Sequence, residues 1–429
     1  MQENLDAKGK GRDRSSTPAR ILIRAGWVVD GTGGPVLSDA VITTENGVIQ
    51  SVGKGGAEGP PDCDTVDLQG LTLLPPLVDA HVHLAFSGSL NPEVRKWQAA
   101  APYQQLLPLM ERRILNHLAC GVAAVRDAGD KSGHTLAYRR DGLRESGIPS
   151  IIKAGGPGWH APGRYGAAIG RTPAAGSSLA LSIARSGEGA DHVKLIQSGL
   201  NSLKFFGRET RPQFSARDLR DAVAAAEGLG LSAMVHANGA VPASMALEAG
   251  CASIEHGFFM GRAALEKAAS SGAFWVPTAC TMQALAETLP AGSHEAGVAA
   301  RNLEHQLEQI RAAVESGVLI ALGTDSGTAG VDHGPSAAAE LALFAKAGMS
   351  TAQAVKCATL NGARLLGLED RMGALIPGMP ATFIAISGPP SGLFSGKIRP
   401  SALYIQGRAL EKAAFSPRPD PPRMRSASP

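Results

Sequence analysis

Two histidines, His81 and His83, close the apolar run Leu77-Val78-Asp79-Ala80-His81-Val82-His83-Leu84. On a strand alternate side chains share a face, so both imidazoles project to one side while Val82 points away. Two neutral imidazoles on one rigid face suit a divalent transition metal. Alone, the pair is equally compatible with two satisfied histidines near a sheet edge. Further ligand types, however, stand at the ends of later apolar runs. They are Lys194 in Asp191-His192-Val193-Lys194-Leu195, His236 after Met234-Val235, His256 after Ser253-Ile254-Glu255, and Asp325 after Leu322-Gly323-Thr324.

Each of these has a bland reading beside the chemical one. A bare ammonium inside an apolar strand is costly, so Lys194 either snorkels to solvent or reacts with carbon dioxide to give a carbamate that can bridge two metals. His192 shares the face of Lys194 and reads as a packing histidine rather than a ligand. His236 and His256, taken singly, are more often structural; as members of one series of strand-end residues they read as ligands. Asp325, in Gly-Thr-Asp-Ser-Gly, either caps the following segment or binds a metal and hydrogen-bonds the metal-bound water. Zinc lowers the pKa of that water toward about 7. A nearby carboxylate can then take its proton and pass it to a leaving amine.

The elements that must position these residues are short apolar runs alternating with helical patterns. Candidate strands are 77–84, 122–127, 150–154, 191–197, 231–236, 252–256, 274–278 and 318–325. After Ser215, Leu219, Ala222, Val223 and Ala226 follow helical spacing, and Ser350 with Gln353 makes a capping box. Eight such units predict an α/β fold, a (β/α)8 TIM barrel over residues 77–370, with its chemistry at the C-terminal ends of the strands. Before it, Ile21-Leu22-Ile23, Trp27-Val28-Val29, Ala40-Val41-Ile42 and Val48-Ile49 alternate with turn signals. They predict a small antiparallel β unit. The texture returns in Gly373-Ala374-Leu375-Ile376, Thr382–Ile386 and Ala402–Ile405. The simplest arrangement is one β-sandwich domain from both chain ends, residues 18–76 with 371–412. Residues 1–17 and 413–429 read as loose tails.

A net charge of +3 on 429 residues gives no reason to expect nucleic acid or a membrane surface as partner. The five cysteines are scattered without a C-x-x-C, which makes a disulfide framework unlikely and a reducing cytoplasm the default. No apolar run approaches the roughly 18 residues of a membrane span, and the polar N-terminus lacks the apolar core of a signal peptide. A small-molecule substrate is the partner expected; a homo-oligomer stays open.

From about residue 20 to 412 the chain resembles the amidohydrolase superfamily. The resemblance rests on His81-x-His83, Lys194, His236, His256 and Asp325 in that order, within a barrel flanked by a bipartite β-sandwich. Val125-Arg126-Asp127-Ala128-Gly129, His192-Val193-Lys194, Val235-His236-Ala237-Asn238-Gly239 and Ile254-Glu255-His256-Gly257 resemble the imidazolonepropionase-like branch. That branch includes prolidase-like dipeptidases and carboxypeptidases. The likeness implies two divalent metal ions, usually zinc. His81, His83 and Asp325 would hold the more buried one and His236 and His256 the other, with carboxylated Lys194 bridging. It implies hydrolysis of an amide bond in a dipeptide or N-acyl amino acid, with Asp325 as base and then acid. Lactones, esters and cyclic amides stay open. A heterocycle deaminase is disfavoured because Ala237-Asn238-Gly239 lacks the glutamate of that design, and a structural role because no ligand position is lost.

The chain also departs from the family pattern. The family's Ala-Asp-Leu is Ala381-Thr382-Phe383, and Gly155-Gly156-Pro157-Gly158-Trp159-His160 differs from the expected Gly-His arrangement. His160 is the candidate for polarising the substrate carbonyl, against the alternative of a plain loop histidine. Arg164 and Tyr165 either recognise a carboxylate and an apolar group or are ordinary lid residues. His333 is placed at the pocket mouth. His117, His134, His294 and His305 are expected at the surface, and Glu340 at the first turn of a helix.

Overall fold

The computed structural model describes residues 20–55, 63–186 and 189–416. The tail expected at 1–17, and residues 417–429 of the other, lie outside the described residues. Residues 413–415 belong to the fold rather than to a loose tail, because Lys412–Phe415 forms a 3-10 turn that buries Phe415.

Four strands come first: β1 (Arg20–Val28), β2 (Leu37–Glu45), β3 (Val48–Lys54) and β4 (Asp64–Leu74). The central region holds β5 (Leu77–Val82), β6 (Val122–Asp127), β7 (Ile151–Ala154), β8 (Gly158–Trp159), β9 (Gly170–Arg171), β10 (His192–Ile196), β11 (Ser232–Ala237), β12 (Ser253–His256), β13 (Phe274–Val276) and β14 (Leu319–Ile320). The chain closes with β15 (Phe383–Ser387), β16 (Ala402–Ile405) and β17 (Arg408–Ala409).

Strands from both ends share one seven-stranded sheet in the order β17-β16-β15-β4-β1-β2-β3. Alternate residues of β1 (Ile21, Ile23 and Ala25) pack with Ile42, Leu73 and Phe383 in a core of the sheet's own. Three details differ from the sequence reading. The two runs at 21–29 belong to one nine-residue strand, Arg20–Val28. The first half of β4 is largely exposed, so it carries no apolar run to announce it; its parallel pairing with β1 makes the unit mixed rather than antiparallel. Residues 373–376 form a loop tied down by the Leu375 N–H on Asp30 O at 2.8 Å.

The central strands are parallel and form sheets β5-β6-β7 and β14-β13-β12-β11-β10-β8-β9. Backbone hydrogen bonds join their edges. Ala80 N donates to Leu322 O and His83 N to Ser326 O at 2.8 Å, and Asp191 N donates to Ala154 O at 2.9 Å. Strand positions follow the apolar runs except the last, which shortens to Leu319–Ile320. Gly323 lies so close to His81 and Val276 that a Cβ there would approach Val276 Cγ1 to 2.3 Å, which lets the chain after β14 lie against β5. Ser215 caps the helix Ala216–Glu227, which buries Leu219, Ala222, Val223 and Ala226. The Ser350/Gln353 capping box opens Thr351–Ala358. Among the described residues no helix is long and apolar enough to cross a membrane.

Candidate metal centre

The ligand-type residues meet at the C-terminal ends of the parallel strands. Nε2 of His81 and Nε2 of His83 lie 3.6 and 3.3 Å from Oδ1 of Asp325. One ligand atom from each of the three falls within 4.8 Å of the others. The His256 ring centroid is 4.8 Å from that of His81 and 4.7 Å from that of His236. Alternation alone does not achieve this convergence. His256, Thr278 and Asp325 take left-handed backbone angles, with φ of 66°, 47° and 59°. Such residues cost of order 1–3 kcal/mol each and persist where the surroundings dictate them. The turn at His256 lets two consecutive residues, Glu255 and His256, both reach His81.

Each of the four histidines has one ring nitrogen engaged outside the cluster. His81 Nδ1 meets Glu255 Oε2 at 2.6 Å, His83 Nδ1 donates to Gly129 O at 2.8 Å, and His236 Nε2 donates to Gly199 O at 3.1 Å. His256 Nδ1 meets Thr278 Oγ1 at 2.7 Å. Carbonyl and carboxylate partners fix which nitrogen bears the proton, and therefore which one offers a lone pair. Burial holds His81 at a pKa of about 4 and His236 at about 3, and pushes His256 well down, so these rings are neutral. For His83 burial also disfavours charge, but the Asp325 carboxylate outweighs it and raises the pKa. Burial works against ionised Asp325 as well; the His83 contact and the neighbouring histidines override it and keep the carboxyl below its ordinary range.

Lys194 is 1 % exposed, and burial lowers its pKa to about 8 against the opposing pull of Glu255 and Asp325. His81 Nε2 and Asp325 Oδ1 are buried without a hydrogen-bond partner. Polar atoms are rarely left so in a folded interior. Facing lone pairs from imidazoles and a carboxylate form a donor set that fits a divalent cation.

The structure moves several residues from their expected places. His333 is buried, not at a pocket mouth; its Nε2 meets Phe86 O at 2.7 Å and its Nδ1 lies 3.1 Å from His117 Nε2 and 3.2 Å from Ser326 Oγ. His117 is correspondingly buried rather than on the surface. His134 and His305 are half-buried, and only His294 of that group is exposed. Glu340 does not serve its own helix, Pro335–Lys346. Its two oxygens accept the N–H groups of Ala279 and Cys280 at 3.0 and 2.7 Å, at the start of helix Cys280–Thr288.

His160 is buried, with Nδ1 donating to Ala161 O at 2.9 Å. Arg164 is exposed and donates to Arg211 O at 2.7 Å. The Tyr165 ring lies 5.4 Å from that of His236, with the residue 38 % exposed at the edge of the site. His192 holds Asp127 O at 3.0 Å, a packing role. The sequence reading gave no role to Glu255, Arg126 or Ser253. The available signal was an acid directly before His256 and an arginine inside an apolar strand, two charges that cannot be buried unpaired.

The sequence model of the amidohydrolase family matches residues 72–415. The chain is 24% identical over 405 residues to an imidazolonepropionase of Porphyromonas gingivalis, covering 84% of each chain. It is 28% identical over 394 residues to an imidazolonepropionase of Rubrobacter xylanophilus, covering 82% of this chain and 86% of that one. Among solved structures it is similar to a Xaa-Pro dipeptidase with methionine bound in the active site. The TM-score is 0.76 at 26% identity, over 91% of this chain and 100% of that one.

Proposed function

The chain belongs to the amidohydrolase family, and from that premise we propose that it is a binuclear metal-dependent hydrolase of an amide bond in a dipeptide or N-acyl amino acid. The carrying observation is the meeting of four histidines, Asp325 and the buried Lys194 at one end of the parallel strands. We read these strands as a closed (β/α)8 barrel over 77–370, and the mixed sheet as a small β-sandwich domain of 18–76 with 371–412.

His81, His83 and Asp325 would hold one cation, and His236 and His256 a second. Lys194 would bridge them after its neutral amine adds to carbon dioxide, forming the N–C bond and releasing the amine proton. A pKa near 8 leaves about a tenth of that amine unprotonated at pH 7, far more than an ordinary lysine offers. Two bound divalent ions, zinc in our reading, would acidify water and polarise the substrate carbonyl. Asp325 accepts the proton of the attacking water and delivers it to the leaving amine nitrogen. His160 donates Nδ1–H to Ala161 O, which in the neutral ring leaves Nε2 a lone pair. The role proposed for it, donation to the substrate carbonyl oxygen, therefore requires the imidazolium, which carries a proton on both nitrogens. Tyr165 walls the site beside His236. Arg164 is already committed to the 211–212 backbone, which favours a loop-tying role over carboxylate recognition. The five free cysteines support a reducing, cytoplasmic setting.

A second reading, hydrolysis of a cyclic amide, is favoured by the imidazolonepropionase relatives. Amine release from a panel of dipeptides and N-acyl amino acids, run beside imidazolones, cyclic ureides and lactones, separates the two. Turnover of open-chain amides supports the proposal. Turnover confined to rings, with two metals bound per chain, replaces it with the second reading.

A further inference from the structure

Glu255 is wholly buried, and every partner around it is a donor. Oε1 accepts from Arg126 Nη2 at 2.8 Å and from the Ser253 hydroxyl, and Oε2 accepts from His81 Nδ1 at 2.6 Å. The direction of these bonds is fixed from the far end. Arg126 cannot accept; it spends Nε on Ala80 O at 2.8 Å and Nη1 on Ser253 Oγ at 3.0 Å. Ser253, receiving from Arg126, must give its own proton to Glu255. Paired with the Arg126 guanidinium at 2.8 Å, the Glu255 carboxyl is ionised and has no proton to give, so its other oxygen can only accept from the imidazole.

We infer that the chain Arg126–Ser253–Glu255 writes the tautomer of His81, placing its proton on Nδ1 and its lone pair on Nε2, and that Glu255 is thereby a positioning residue for the metal site. The inference rests on the reading of His81 as a ligand. Its geometric support is that Nε2 is the nitrogen facing Asp325 and lacking a partner.

The consequence is specific. In Glu255→Gln the amide has one acceptor oxygen, and the Arg126 and Ser253 donors claim it. The NH2 group then faces His81 Nδ1 and forces the ring proton onto Nε2. In Arg126→Met/Glu255→Gln the guanidinium no longer dictates the orientation, so the amide can turn its oxygen to His81.

Zinc affinity of the full chain, read by competition with a chromophoric chelator and paired with thermal melting, tests this. Glu255→Gln should bind zinc at least about tenfold more weakly than wild type, the usual size of such a supporting contact. The double variant should bind more tightly than Glu255→Gln alone. Unchanged affinity in Glu255→Gln, or a double variant weaker than the single one, overturns the inference, because a packing role adds losses and does not reverse them. Should Glu255→Gln not fold, Arg126→Met/Glu255→Gln is compared with Arg126→Met/Glu255→Met. Only the former offers His81 an acceptor and should bind at least about tenfold tighter; equal affinity overturns the inference. Wild-type protein that binds no zinc sinks the ligand reading itself.

Discussion

Two pockets of buried histidine lie side by side in this molecule, and they differ in what their nitrogens meet. At the strand ends, His81, His83, His236 and His256 each have one nitrogen held by a protein partner, and carboxylates stand among them. One step away, His117 and His333 bond to each other, to Phe86 O and to Ser326, and the ionic groups acting on His333 are Arg113 and other histidines. Burial lowers the pKa of most of these rings, to about 3 for both His117 and His236. A depressed histidine therefore does not mark a metal site. What sets the strand-end site apart is the convergence of lone pairs with an anion among them. Glu340 supplies the converse case, a buried carboxylate that captures two backbone N–H groups instead of a cation.

The largest break in this comparison should come from removing the anion. Asp325→Asn keeps the shape but loses both the charge and the proton acceptor. Turnover should fall by about 10³, within the span of general acid–base catalysis, and zinc content should drop at the His81 side. Retained turnover with retained zinc would show that the carboxylate is not what separates the two pockets. Lys194→Met should follow. It removes the proposed bridge, so zinc should fall from two equivalents to about one, and turnover by about 10², equivalent to about 2.7 kcal/mol of lost charge stabilisation. Two zinc ions in the variant, measured by mass spectrometry of metals, would remove the lysine from the site.

Much of the stronger pocket is legible in the sequence, and the reason is geometric. Candidate ligands at strand ends are announced by the apolar run that carries them, as in Met234-Val235-His236, and a pair at i, i+2 declares its own face. What supports the ligands leaves a weaker trace. Glu255 follows an apolar residue and precedes His256, so alternation places it opposite His256; only the left-handed turn at His256 brings both to His81. Arg126 finds its partner 129 residues later, a pairing no local pattern contains. The His117–His333 contact spans 216 residues and was invisible for the same cause. In the flanking sheet, β4 was missed because its first half is exposed and carries no apolar stripe.

Glu340 sharpens the comparison through pH. Burial raises its pKa from 4.5 to about 7, against the pull of the Ala279 and Cys280 N–H groups, and Asp79 adds to the rise. The folded chain therefore holds a proton that the unfolded chain has released between those values. The Glu340 contribution to the stability of the metal-free protein should fall by about 3 kcal/mol as pH rises from about 4.5 to 7 and then level. It runs against the opposite trend of the buried histidines His81, His117 and His236, whose lowered pKa values make stability rise with pH up to about 6.5. Urea titrations of wild type and Glu340→Gln at pH 5 and pH 8 isolate it: between the two pH values the wild type should lose about 3 kcal/mol relative to the variant. An unchanged gap between wild type and variant at the two pH values would leave Asp79, raised to about 7 by burial, and not Glu340 as the group that holds the proton.

The smallest effect belongs to the His117–His333 pocket. His117→Leu removes one partner of a buried hydrogen bond, yet His333 Nδ1 keeps Ser326 Oγ at 3.2 Å. The cost should be about 1–2 kcal/mol, the lower part of the range for a buried polar group losing one partner. It should appear as a lower melting temperature with zinc stoichiometry and turnover unchanged. The same substitution also tests whether the pockets are separate at all, since Ser326 is adjacent in sequence to Asp325. If zinc is lost along with stability, the His117–His333–Ser326 chain carries strain into the Asp325 turn. The two pockets would then be one coupled unit, distinguished by position and not by what their histidines meet.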